Sequence, residues 1–161
     1  MRAGLVWGAA LSGAALMATL SPALGQEATV KQALSVRGEC TEALHGGKLP
    51  QYHSCSGIVF QFTLSDGSIV VMFTGAMSPY FFLGKGSSWT QKGGGRMIVS
   101  AVAAGRGDSY EEFPAKGYCR FENLHAGDKA IVSCSATMSK GHWSAAFKSN
   151  GKPPEVEEVK G

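Results

Sequence analysis

Four cysteines and four histidines carry the most distinctive side-chain chemistry of this 161-residue chain. Cys40 and Cys55 are 15 positions apart, and so are Cys119 and Cys134. There is no C-x-x-C pair, which removes thioredoxin-like, zinc-ribbon and covalent-haem spacings. An even number of well-separated cysteines in a small chain reads instead as the disulfide framework of an oxidising compartment. His45 and His125 fall in matching turns of the two cysteine segments and would make a metal or proton-transfer site if those turns converged. His53 and His142 flank other strands. No second ligand stands at metal spacing from any histidine, so solvated turn histidines are expected, with no metal and no cofactor.

Other catalytic patterns are weak. Serine is common, but no G-x-S-x-G elbow occurs. Glu39, Glu42, Asp66, Asp108, Glu111, Glu112, Glu122 and Asp128 are the carboxylates available for acid–base work. Most fall at turns or on outward strand positions, where a solvated charge is the ordinary outcome. Gly84-Lys85-Gly86-Ser87 lacks the order of a phosphate loop, and Arg106-Gly107-Asp108 reads as a plain turn. Lys and Arg total 15 against 12 Asp and Glu, a net charge of +3 without a basic run, so a nucleic-acid partner is not expected.

The best binding candidate is the stretch 78–95, where Tyr80, Phe81, Phe82 and Trp89 lie among glycines. Exposed aromatics on a loop mark contact surfaces, and Tyr80, Trp89 and Lys92 are the expected contact residues. The competing reading makes Tyr80 to Leu83 a strand with Phe81 and Leu83 in the core.

These residues must be positioned by strands. Asp66-Gly67 is a two-residue hairpin signal; it sets Leu64 opposite Ile69, Phe62 opposite Val71 and Phe60 opposite Phe73, all on one apolar face. Four cysteines allow three pairings, and the equal spacings favour Cys40–Cys55 and Cys119–Cys134. With Cys119 opposite Cys134, Phe121 faces Val132, and His125 to Asp128 becomes the turn; Cys40–Cys55 works similarly around Gly46-Gly47. Lys140-Gly141 sets Met138 opposite Trp143, Ala136 opposite Ala145 and Cys134 opposite Phe147. Arg96 to Ala104 reads as a strand, Thr29 to Arg37 as a strand or short helix, and Ser109 to Phe113 as a strand stopped by Pro114. Hairpins at this spacing predict an all-β fold, an antiparallel barrel or sandwich. Cys40…Leu44-His45…Cys55 matches Cys119…Leu124-His125…Cys134 at an offset of 79 residues, with one residue of slippage at the Leu-His pair, which suggests an internal two-fold repeat.

Residues 1–25 have the three parts of a cleavable signal: Arg2, the apolar run Leu5 to Leu20, and small residues at Ala23 and Gly25 before Gln26. The run is shorter than the ~20 continuous apolar residues of a membrane span. The expected organisation is a signal at 1–25, one β domain at 26–150 and a disordered tail at 151–161, where Glu155, Glu157 and Glu158 follow two prolines.

Gly117-Tyr118-Cys119…Ile131-Val132-Ser133-Cys134-Ser135-Ala136, with a strand ending at Phe147, resembles small exported two-disulfide proteins of Gram-negative bacteria. That resemblance implies a periplasmic home and no particular activity. Trp89-Thr90-Gln91-Lys92-Gly93 resembles, with a Gln inserted, the Thr-Lys-Gly loop of periplasmic lysozyme inhibitors, which are also small disulfide-containing barrels. The functional expectation is a non-enzymatic periplasmic or secreted binding or structural module. Its partner would be a protein or another envelope component, with no membrane anchor after cleavage. The alternatives are an inhibitor of a cell-wall hydrolase and a small periplasmic hydrolase using histidine with a carboxylate.

Overall fold

The computed structural model describes residues 28–46, 55–75, 79–86, 93–106, 109–126, 128–139 and 141–159; residues 1–25, expected to be a signal, lie outside them. The described residues form nine strands and no helix: β1 (Val30–Gly46), β2 (Cys55–Leu64), β3 (Ile69–Gly75), β4 (Tyr80–Gly86), β5 (Gly95–Arg106), β6 (Ser109–Phe121), β7 (Ile131–Met138), β8 (Gly141–Ser149) and β9 (Glu155–Glu158). From β2 to β8 each strand pairs antiparallel with the next, and β1 pairs with both β2 and β8. The fold is therefore an eight-stranded up-and-down barrel with β9 added beside β1.

Closure rests on the length of β1. Its first half pairs with β2, Val36 opposite Val59, and its second half with β8, Cys40 opposite Phe147. The changeover falls at Gly38, where a Cβ would collide with the Lys148 carbonyl oxygen. β8 and β9 follow one another along the same edge of β1, with Gly38 opposite Ser149 and Ser35 opposite Glu155.

Eight strands enclose a space that side chains just fill. Here Phe73, Phe82, Met97, Val99, Val132 and Phe147 point inwards and are essentially inaccessible. Phe73 meets Phe82 edge-on at 5.8 Å, and Tyr80 meets Trp143 edge-on at 5.7 Å. Leu124 and Ala130, from the β6–β7 connection, are also buried.

Both expected disulfides are present. Cys119 and Cys134 are directly opposed on β6 and β7, with Cα atoms 4.0 Å apart, and Cys40–Cys55 joins β1 to β2 with Cα atoms 5.7 Å apart. Bridges of this kind are typical of extracellular and periplasmic proteins. Each closes a 15-residue separation, worth about 3 kcal/mol in the chain-entropy account. The stapled hairpins are β1–β2 and β6–β7, five strands apart, so the 79-residue offset does not divide the eight-stranded barrel into halves.

Two registers, and the course of three further segments, differ instructively from expectation. Between β2 and β3, Val59 pairs with Phe73, Gln61 with Val71 and Phe62 with Val70, one residue away from the expected set. The turn is the cause. Leu64 N–H donates to the Ser68 carbonyl at 2.9 Å, and Gly67 N–H donates to the Leu64 carbonyl at 3.0 Å. With Gly67 at φ +79°, that is a three-residue loop closed by a left-handed glycine rather than a two-residue turn. Asp66 fixes it by accepting the Ser68 N–H at 2.9 Å and the Ser68 hydroxyl at 2.7 Å; these bonds hold its carboxyl below the ordinary 3.8. A one-residue slip reverses a strand's faces. Val59 and Gln61 are therefore buried, while Phe60 and Phe62 stack on the outside at 6.0 Å. β4 is a strand, but with Tyr80 and Phe82 inside and Phe81 and Leu83 outside.

Between β7 and β8 the shift is two residues, Ala136 opposite Trp143 and Cys134 opposite Ala145, which leaves the inward faces as expected. β6 does not stop at Pro114. A register irregularity between β5 and β6 lets Ala101 sit opposite Pro114 and Val99 opposite Gly117, the setting in which a sheet tolerates proline. Finally, residues 155–158 of the expected disordered tail form β9, held by backbone pairing to Gln32–Ser35 and by the Val159 N–H donating to the Lys31 carbonyl at 2.9 Å. The exposed Arg37–Glu155 ion pair at 3.6 Å adds little.

The register predicts opposite fates for neighbouring phenylalanines. Phe82→Ala should cost about 3–5 kcal/mol in denaturant unfolding, and Phe60→Ala less than about 1.5 kcal/mol, the loss of an outer ring pair. Equal costs would contradict the assigned faces.

Candidate functional site

A filled interior leaves the outer wall for recognition, and the wall has two characters. Across β1 to β5 it is apolar. One row runs Ala33, Phe62, Val70 and Leu83, and the next contains Phe60, Met72 and Phe81; Ala101 and Ala103 continue these rows on β5 but are buried. Tyr110, half exposed, meets Phe81 edge-on at 5.0 Å.

Across β5 to β8 the wall carries basic and hydroxyl side chains, with Ile98, Tyr118 and Ile131 exposed among them. β7 alternates Val132, Cys134 and Ala136 inwards with Ser133, Ser135 and Thr137 outwards. His142 lies opposite Thr137, and its ring is held by Ser135 Oγ at 3.2 Å from Nε2 and Thr137 Oγ1 at 3.1 Å from Nδ1. The β6 register that joins Cys119 to Cys134 also turns Tyr118 and Arg120 outwards. β5 then places Arg96 directly opposite Arg120.

Around this pair is an open groove of about 850 Å³, lined among others by Arg96, Tyr118, Arg120, Glu122, Ile131 and Ser133. The Arg96 guanidinium carbon stands 4.7 Å from the Tyr118 ring centroid, a cation–π contact that fixes it over the ring. Glu122 faces the neck of the β6–β7 connection, where Oε2 accepts the Ile131 N–H at 2.8 Å. Gly94 and Gly95 line one end of the groove. A second hollow of about 370 Å³ by Arg37, Glu39, Lys129 and Lys148 extends the charged wall towards β1. Chemically the groove offers two guanidinium forks, a phenol and a serine hydroxyl. It is equipped to hold an anion.

Of the residues expected to bind, Tyr80 is inside the barrel, 8% exposed and packed on Trp143, where desolvation raises its phenol above the ordinary 10.0. Trp89 and Lys92, and most of the stretch 89–93 compared above with lysozyme inhibitors, lie outside the described residues. His45 pairs with Ser144 towards the end of the barrel that carries the β7–β8 turn, whereas His125 is exposed on the β6–β7 connection, so the two positions stand at opposite ends of the barrel. His53 and Asp108 are outside the described residues. Among the described residues no three His, Cys, Asp or Glu side chains are grouped to hold a metal. Gly84 and Lys85 belong to β4 and form no phosphate loop.

Arg96, Tyr118 and Arg120 were not singled out by residue type. Tyr118 and Arg120 were legible as outward once Cys119 was set opposite Cys134; Arg96 was not, because its partner depends on the irregularity at Pro114. Comparison with known protein families, curated proteins and solved structures finds no match.

The buried Tyr80 phenol sets an alkaline limit. Below pH 10 it is neutral in both folded and unfolded chains. Above that the unfolded chain loses its proton first, so stability present below pH 10 is lost as pH rises towards the folded value. Tyr80→Phe should lose less stability than wild type between pH 9 and roughly 11 in denaturant unfolding. An identical decline in both would contradict this.

Proposed function

We propose that the protein is exported and acts as a non-enzymatic binding module of the periplasm or extracellular space, contacting an envelope component with the outer wall of β5 to β7. The observation that carries this reading is the groove around Arg96, Tyr118 and Arg120, the place where charge, a fixed aromatic ring and an open concavity coincide. Export is supported by the signal pattern of residues 1–25 and by two disulfides suited to an oxidising compartment. A barrel filled by its own side chains favours contact through its exterior.

The test is photo-crosslinking in intact Gram-negative cells, with the crosslinker at Ser133 in the groove or at Thr74, which follows Val70 and Met72 on the outward face of β3 beside the apolar wall. An adduct from position 133 and none from position 74 is expected, on a chain whose N-terminal residue is Gln26. Adducts from both positions alike, or from neither, would overturn the assignment of the surface. A chain retained in the cytoplasm would overturn export.

A further inference from the structure

We infer that the β5–β6 groove is a phosphate-binding site in which Arg96 and Arg120 grip one phosphoryl group from two neighbouring strands. The inference rests on the proposed contact surface and names the ligand chemistry it takes.

Side chains directly opposed across an antiparallel pair approach to about 4.5–5.5 Å at Cβ, and like charges there repel. Arg96 and Arg120 are such a pair, both exposed on the outer wall. Flexible arginines usually relieve the repulsion by turning apart. Here Arg96 leans over Tyr118, the residue two before Arg120 on the neighbouring strand, and both arginines line the one groove. Among the described residues no ion pair or hydrogen bond engages the Arg120 guanidinium. The nearby carboxylate, Glu122, is engaged by the Ile131 amide. An anion seated between the guanidinium groups converts the repulsion into two favourable contacts, with the Ser133 hydroxyl on the next strand, opposite Arg120, as a further donor.

Phosphate fits this donor set better than carboxylate. A carboxylate matches one guanidinium fork with its two oxygens. A phosphoryl group carries three non-bridging oxygens and a larger charge, so it accepts from both forks together. The groove, at about 850 Å³ and open, leaves room for whatever the phosphate is attached to.

The experiment is an NMR titration of the disulfide-intact mature chain with inorganic phosphate at low ionic strength. Acetate at matched ionic strength is the second arm, and vesicles containing phosphatidic acid, a phosphomonoester headgroup, the third. Saturable shifts centred on Arg96, Arg120 and Ser133 are expected with phosphate. Arg120→Gln and Arg96→Gln should each weaken binding about ten-fold, and Lys85→Gln, on β4, should leave it unchanged. Both arginines are exposed, so the variants should stay folded, and Arg120→Gln should melt without phosphate at or above the wild-type temperature. Phosphate should raise the wild-type melting temperature and not that of Arg120→Gln. Unsaturable or scattered shifts, unchanged affinity in both arginine variants, or acetate binding as tight as phosphate would overturn the inference. Vesicle binding lost in Arg120→Gln assigns the phosphate to a lipid headgroup; binding of free phosphate without vesicle binding assigns it to a soluble ligand, and either supports the site. If Ser133 crosslinks form while phosphate fails, the contact surface stands and the ligand chemistry falls.

Discussion

The double pairing of β1 is the constraint on which the rest of the structure depends. A meander of β2 to β8 alone would have two open edges, each a row of unpaired backbone groups. β1 satisfies both, one with each half, and the changeover at Gly38 lets it lie close against β8 as the sheet turns into a barrel. Closure then defines an inside. Once Val36, Val59, Phe82, Val132 and Phe147 converge on the axis, every neighbouring residue along each strand is committed to the outer wall.

That commitment produces a two-sided exterior. On β2, inward Val59 and Gln61 force Phe60 and Phe62 out; on β4, inward Tyr80 and Phe82 force Phe81 and Leu83 out. The result is the apolar wall. On β6 and β7, the buried Cys119–Cys134 bridge forces Tyr118, Arg120, Ser133 and Ser135 out, which makes the wall that carries basic and hydroxyl side chains. A disulfide placed for stability thus also fixes the strand parity that exposes the groove. Arg96 and Arg120 are held side by side by hydrogen-bonded backbone on both flanks, a rigid setting for recognition compared with a loop.

Legibility in the sequence followed the kind of signal available. Where a covalent requirement and apolar alternation agreed, as at Cys119 opposite Cys134 and Phe121 opposite Val132, register and faces were both readable. Where alternation stood alone, as between β7 and β8, the faces were readable but the register was two residues out, because a two-residue shift preserves every face. Turn chemistry misled once. Asp66-Gly67 fits either a two- or a three-residue loop, the Ser68 contacts select the longer, and the apolar outer face of β2 looked like core. β9 carries no apolar pattern, since its strands pair through backbone alone and Val156 is 52% exposed. The groove needed three strands in register, one of them passing through Pro114, and no local pattern encodes that.

The closed barrel is tested most directly by cross-strand nuclear Overhauser contacts of β1 in the disulfide-intact chain. The account predicts Val36 to Val59 and Cys40 to Phe147 contacts in the same molecules, with slow amide exchange along both halves of β1. Contacts to β2 alone, with β8 exchanging as a free edge, would contradict closure and with it the assignment of inner and outer walls.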